Sequence, residues 1–182
     1  LNRNTSSTSE VASQWLQYEL LYQLNGLKFN AIFNYQNAHA DGSQLKNAER
    51  EIAGLSLLFQ HQLSDKLNYE VTFRQDLNDN FENPFLFSLG SVYEFNNFWE
   101  LRIHASRNYR LPTFNDLFWM NGGNLNLKPE SAYQAEIGGT YTQDNLSLSL
   151  TSFYNDITDT IRWLPDSFGI WRSQNTDKVE TY

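Results

Sequence analysis

The sequence predicts an all-β protein, an antiparallel up-and-down meander that forms a sector of a transmembrane β-barrel. Three observations carry this reading. Apolar residues recur at every second position through most of the 182 residues, the period of strands with one greasy and one wet face. The links between these segments alternate short and long, as in barrels that keep tight turns on one rim and long loops on the other. Aromatics make up 15% of the chain, yet its mean hydropathy is only −0.57. A lipid-facing surface dispersed in alternation gives that combination, and no apolar run approaches the ~20 residues of a membrane-spanning helix.

Taken in order, residues 1–13 are rich in Asn, Ser and Thr without an apolar period and read as a loop. Leu16, Tyr18, Leu20, Tyr22 and Leu24 then alternate with polar residues up to Asn25-Gly26, a strong two-residue hairpin signal. Leu27, Phe29, Ala31, Phe33 and Tyr35 continue the same face after the turn, which makes the register self-consistent. Residues 39–50 read as a longer polar loop. Ala53, Leu55, Leu57, Phe59 and Leu63 lead to a three-residue turn at Ser64-Asp65-Lys66, and Leu67, Tyr69, Val71, Phe73 and Leu77 follow. After the loop 78–84, Phe85, Phe87, Leu89, Tyr93 and Phe95 reach a turn at Asn96-Asn97.

The strand ending at Arg110 is followed by a long loop broken by Pro112, which lacks an N–H for ladder pairing. Thr113 is placed to cap a single helical turn before Phe118. Alternation resumes at Tyr133, Ala135 and Ile137, turns at Gln143-Asp144-Asn145, and continues through Leu146, Leu148, Leu150 and Tyr154. Residues 159–171 read as a loop and 170–182 as a last, weakly patterned strand. Tyr22, Tyr69, Phe95, Trp99 and Tyr141 gather near the short-turn rim, and Tyr35, Phe85, Tyr109, Tyr133 and Tyr154 near the other. Two such girdles suit the two interfaces of a bilayer.

The opposite parity carries Glu19, Lys28, Glu70, Arg74, Asp76, Glu94, Glu100, Arg102, His104, Arg110 and Glu136. Mixed charge of this kind suits a water- or plug-filled lumen and would be costly in a dry core. Arg110 reads either as a ligand or plug contact or, preferably, as half of a wall ion pair with Glu130 or Glu136. The net charge of −8 argues against nucleic acid as a partner. With no Cys there is no disulfide or thiolate site. The histidines lack metal-ligand spacing. Asp76-x-Asn78-Asp79-Asn80 lacks the Gly and the closing Glu of a calcium loop. No nucleophile motif or phosphate loop is present, so neither an enzyme nor a cofactor is expected. Ligand contacts are expected in the long loops, on Phe118, Trp119, Asn121, Trp163 and Trp171.

Three spaced blocks carry a family resemblance: Arg110-x-Pro112-Thr113-x-Asn115-x-Leu117-Phe118, then Gly123-Asn124-x-x-Leu127-Lys128-Pro129-Glu130, then Glu136-x-Gly138. Together they resemble the barrel signature of TonB-dependent outer-membrane receptors. Asp116 stands where that family usually has Glu, and Leu125 where it usually has Pro. The resemblance implies residence in the outer membrane of a Gram-negative bacterium, in contact with its lipid. It further implies uptake of a scarce bulky ligand such as a ferric siderophore, cobalamin or a glycan, with a slight lean to cobalamin. Energy would come from the TonB protein through a segment ahead of a plug domain. Such receptors close a barrel of roughly 22 strands, against about eight to nine readable here. Residues 1–182 are therefore expected to be one partial barrel domain, without the plug and the remaining strands. A passive porin-like barrel and a secreted all-β carbohydrate-binding module using Trp163 and Trp171 remain as alternatives.

Overall fold

The computed structural model describes residues 8–45 and 47–182. Eight strands follow one another as an antiparallel meander: β1 (Ser9–Leu24), β2 (Leu27–Gly42), β3 (Ala48–Ser64), β4 (Leu67–Leu77), β5 (Phe85–Glu94), β6 (Trp99–Arg110), β7 (Glu130–Gln143) and β8 (Leu146–Thr158). One helical turn, α1 (Phe114–Phe118), lies in the β6–β7 loop. A separate hairpin, β9 (Thr160–Pro165) with β10 (Trp171–Thr176), follows β8, and β11 (Val179–Thr181) then returns to β8 as the ninth strand of the sheet.

The register gathers most of the aromatic and aliphatic side chains on one face and most of the charges on the other. Along one row across the sheet lie Tyr22, Phe29, Phe59, Val71, Leu89, Ala105, Ala135 and Tyr154. The neighbouring row holds Lys28, Gln60, Glu70, Gly90, His104 and Glu136. A slip of one residue would exchange these faces, so burial of one face pins every pair. The polar face is concave: one hollow of about 590 Å³ is lined by side chains from β1 through β7, among them Gln23, Lys28, Glu70, His104 and Glu136. The apolar face is convex and exposed, with Leu150 at 81% and Ile103 at 46%.

The short turns lie on one rim. Asn25 and Gly26 both take positive φ, 45° and 79°, the geometry that matches the twist of a two-residue hairpin. Asp144-Asn145 closes another two-residue turn, with Asp144 at φ 50°. The β3–β4 turn is tighter than the three residues expected: Ser64 pairs directly with Leu67, and the spare residue is taken up by a bulge between Gln62 and Ser64.

Three loops expected from the sequence are shorter or more ordered in the structure. Ser9–Ser13 belong to β1, paired with Gly42 through Ala38, while residues 1–7 lie outside the described residues. Strands β2 and β3 run on to Gly42 and from Ala48, so that of the described residues in the expected loop only 43–45 and 47 lie outside them. Backbone pairing there outweighs a polar composition, because strands rising past a membrane surface need no apolar face. The segment 159–171 is not an irregular loop but the β9–β10 hairpin. Tyr109 also departs from the expected girdle: its hydroxyl reaches Asp76 at 3.4 Å. The β5–β6 ladder ends at Phe87–Arg107, so Tyr109 is paired on one side only, with Ser131 of β7.

On the convex face Ile103 sits between Ser91 and Ile137, midway between Trp99 and Arg107. In bilayers, Ile103→Arg should destabilise the full receptor by about 2–4 kcal/mol, and Ser149→Arg on the concave face by much less. Reversible unfolding of both variants in lipid measures the difference, and equal losses would contradict the assigned faces.

Candidate functional site

The long loops do not stand apart. They meet on one rim around α1. Thr113 caps that turn: its hydroxyl accepts from Asp116 N, while the Asp116 carboxylate accepts from Thr113 N (2.9 Å) and Thr113 Oγ1 (2.8 Å). This reciprocal box satisfies donors that a helix start otherwise leaves open. The other carboxylate oxygen, Oδ1, accepts from the Trp163 indole N–H at 2.9 Å, drawing β9 onto the turn. The backbone carbonyl of Asp116 accepts from Ser173 Oγ (2.5 Å) and Asn124 N (2.8 Å), which adds β10 and the far end of the same loop.

Asp116 is buried. Burial works to raise its carboxyl pKa. The hydrogen bonds from Thr113 and Trp163, with the Arg110 charge, outweigh burial and hold the carboxyl below the ordinary range.

Around this hub the signature residues act as joints. Arg110 grips Glu130 through two hydrogen bonds, Nε to Oε2 at 2.8 Å and Nη2 to Oε1 at 2.6 Å, the fork geometry of a strong pair. Glu130 Oε1 also accepts from Ile161 N at 2.7 Å, so the pair extends to β9. Pro112 is fully buried and its carbonyl accepts from Arg50 Nη2. Gly123 has no room for a side chain, since a Cβ would lie 2.6 Å from Leu117 O and from Trp119 N. Asn124 accepts from Asn126 N and donates to Ser173 O. Asn175 bridges Lys128 N, Lys128 O and Asp159 O, closing the end that leads to Pro129. Asn115 is exposed and lends its carbonyl to Trp119 N. Glu136 and Gly138 lie lower, on the concave wall opposite His104 and Arg102.

Two small apolar clusters finish the cap. Ala40, Leu45 and Ala48 pack against Phe114 and Phe118, and Leu117, Leu127 and Ile161 against Phe81 and Phe118. The β6–β7 loop thus reaches back to the β2–β3 loop, where Leu45 pairs with Trp119 and Met120 N donates to Gln44 O. That contact spans roughly 14–19 Å measured strand by strand along the sheet.

Of the five residues expected to touch ligand, Phe118 is wedged between the two clusters, Trp119 is half-buried at the Leu45 contact, and Trp163 spends its only donor on Asp116. Asn121 and Trp171 are exposed, Trp171 at 59%. Asp116 and Ser173 as joints were not singled out from the sequence. The Thr113-x-x-Asp116 spacing was a local signal for the first, and nothing local marks the second. The tip of the hairpin is held by Asp166, whose carboxylate accepts from Arg172 Nε, Phe168 N and Ile170 N. The Arg172 bond foremost keeps this carboxyl below its ordinary pKa. It presents Phe168 at 87% exposure. Among the described residues no group of three or more His, Asp or Glu could hold a metal.

The family model of the TonB dependent receptor-like β-barrel matches residues 2–182. The chain belongs to that family. The vitamin B12 transporter BtuB of Photobacterium profundum is 28% identical over 180 residues, 95% of this chain and 29% of that protein. A BtuB of Vibrio vulnificus is 28% identical over 183 residues, 96% of this chain and again 29% of the relative. The chain therefore spans less than a third of the length of these relatives. Among solved structures, the siderophore receptor PirA from Pseudomonas aeruginosa superposes with a TM-score of 0.86 at 18% identity, over 96% of this chain and 38% of that one. The copper transporter OprC superposes at 0.79 with 11% identity, over 96% and 33%. The nine-stranded meander is thus a sector of a transmembrane β-barrel of the TonB-dependent receptor type, and its first two signature blocks are the joints of the loop cap while the third lies in the wall.

Asp116→Ala should leave the Trp163 and Thr113 donors without partners and cost the loop cap about 1–3 kcal/mol, read as faster hydrogen exchange in β9 and β10 with the wall strands unchanged. Because the folded carboxyl sits below its unfolded value, its contribution is present above the unfolded pKa and is lost as pH falls through the folded one. Wild-type protein should therefore show the same selective loosening in acid, and Asp116→Ala should show only the part of it that the Glu130 and Asp166 carboxyls contribute.

Proposed function

We propose that this chain is a partial barrel domain, residues 1–182, of an outer-membrane receptor that imports a scarce bulky ligand from the medium. The barrel meets outer-membrane lipid on its convex face. The TonB protein powers transport through a segment and plug supplied by other parts of the receptor. The observation that carries this reading is the loop cap: the loops of the long-loop rim are locked to one another around Asp116, while the other rim is closed by short turns alone. A wall alone needs no rigid cap. A mouth that must hold a ligand gains affinity when its loops are ordered in advance.

The exposed part of the cap sets the ligand class. Asn121 and Trp171, with Phe168 and Leu125 nearby in sequence, offer ring faces and amides rather than clustered cations. Two of the cap arginines are occupied, Arg110 by Glu130 and Arg172 by Asp166, and Arg162 on β9 is a single exposed cation rather than part of a cluster. Such a surface fits a large, ring-bearing ligand with amide or hydroxyl groups better than a phosphate. Cobalamin is the preferred ligand, supported by the BtuB relatives at 28% identity, and a ferric siderophore is the second choice.

Cyanocobalamin binding to the full receptor tests this. Trp171→Ala should weaken binding about tenfold, the scale of a lost aromatic contact. Trp163→Phe, which removes the N–H bonded to Asp116, should weaken it less and mainly by speeding release. Trp119→Ala and Trp163→Ala combined with Trp171→Ala should abolish measurable binding. Unchanged affinity in all variants would reduce these rings to loop packing.

A further inference from the structure

The outward face of the wall breaks its own pattern at one residue. Strands β1 to β8 hold six cations: Lys28, Arg50, Arg74, Arg102, Arg107 and Arg110. Five take the parity of the concave face. Arg107 alone takes the outward one, in line with Ile103 and Ala105 on β6. It stands near the loop end of that strand, in a cross-strand row with Phe87 and Tyr133. A cation is tolerated at the edge of a bilayer, but one that faces lipid still needs a counter-charge.

The chain does not supply it. The acids of the same row, Asp156 and Glu180, are both held by Lys178, at 3.1 and 2.6 Å. Among the described residues no carboxylate forms an ion pair with Arg107. Its guanidinium lies over the Tyr133 ring at 5.3 Å, and Nη1 donates to Phe85 O at a long 3.4 Å. Nε is shielded from solvent without an acceptor. Ser131 Oγ, two residues nearer the rim than Tyr133 on the same face, is also shielded and unpartnered. Polar atoms left open in this way are expensive unless a further group fills them.

Beside Arg107 lies a hollow of about 320 Å³, lined by Glu82, Arg107, Tyr109, Lys128, Ser131 and Asp159. It sits where the β5–β6 ladder has ended. Lys128 is exposed, its backbone is fixed at N and O by Asn175, and its ammonium has no acid partner among the described residues. Two uncompensated cations and an unfilled hydroxyl therefore border one space.

We propose that Arg107, Lys128 and Ser131 form an outward-facing site for the phosphate of a phosphosugar lipid headgroup in the outer leaflet. Arg107 and Lys128 supply charge-assisted donors and Ser131 a neutral one, while the Glu82 and Asp159 carboxylates accept from sugar hydroxyls. The source is lipid rather than free phosphate because Arg107 has the hydrocarbon parity and lies against Tyr133, a ring of the outer girdle, where headgroups meet the barrel. The site is independent of what the receptor imports.

The test uses the full receptor, stripped of lipid in detergent, with three probes: lipid A carrying both phosphates, the same lipid without them, and soluble glucosamine 6-phosphate. Titration by native mass spectrometry measures lipid bound per receptor. Wild type should prefer the phosphorylated lipid about tenfold. Arg107→Gln should lose most of that preference, Arg107→Lys should keep part of it, and Lys128→Gln should reduce it severalfold. Arg102→Gln, which removes a cation from the concave face, should keep it all. An unchanged preference in Arg107→Gln overturns the site, and so does an equal loss in Arg102→Gln, which would mean diffuse charge. Displacement of the lipid by an equal concentration of glucosamine 6-phosphate overturns the lipid assignment. An equal drop in melting temperature for Arg107→Gln with and without the lipid also overturns the site, because the guanidinium then serves only the fold. The import reading stands or falls separately, on the cyanocobalamin titrations.

Discussion

One buried carboxylate holds the loop rim together. Asp116 joins its own helical turn through Thr113, the β9–β10 hairpin through Trp163, and, through its backbone carbonyl, both Ser173 and Asn124. Arg110 lies 4.0 Å from the same carboxylate and carries the link on to Glu130 and Ile161. An ion buried this way is costly unless nearly all its lone pairs are satisfied. Here they are filled by Thr113 and the Trp163 indole, while Ser173 and Asn124 fill the backbone carbonyl, so β9 or β10 can leave the turn only by stripping a buried acceptor. The apolar clusters around Phe118 are too small to order such loops alone, which makes the polar hub the controlling term.

The wall obeys a different constraint. In hydrocarbon every strand N–H and C=O must pair with a neighbour, and a face of Leu, Ile, Val and Phe must stay outward. These two demands together leave one register, so the meander could be read from period-2 alternation. The turns at Asn25-Gly26 and Asp144-Asn145 were legible because positive φ has a short list of tolerant residues. Strand ends were not legible where β2 and β3 climb past the lipid. There the residues 39–42 and 48–50 need no apolar face, so their composition looks like loop while their backbone still pairs. The β9–β10 hairpin was missed for the same reason, its strands being short and polar on one side.

The site was legible in part. The signature blocks marked the segment around which the rim is built, and parity and charge left Glu130 or Glu136 as the partner of Arg110, of which the fold uses Glu130. Local sequence could not say that Trp163 would spend its indole N–H on Asp116, because the two are 47 positions apart. The same holds for Ser173 and Asn175, ordinary polar residues until folding brings them to carbonyls of the β6–β7 loop. Aromatic residues in a long loop therefore divide into joints and exposed surface only after the hairpin is docked.

The two halves of the molecule are consequently held by interactions of different kinds, and this separates their freedoms. Moving a wall residue across the sheet reverses a whole face, a penalty spread over many side chains. Changing an exposed cap residue such as Asn121, Leu125 or Phe168 disturbs no hub bond, since none of their side chains takes part in one. Gly122 marks the limit of that freedom: a Cβ there would lie 2.2 Å from Trp171 O and 2.7 Å from the Trp163 ring, prying β10 from the turn. A barrel wall built this way can carry different exposed loop residues while the joints keep the loops in place. This accounts physically for one wall geometry recurring in solved proteins named for siderophore and copper uptake.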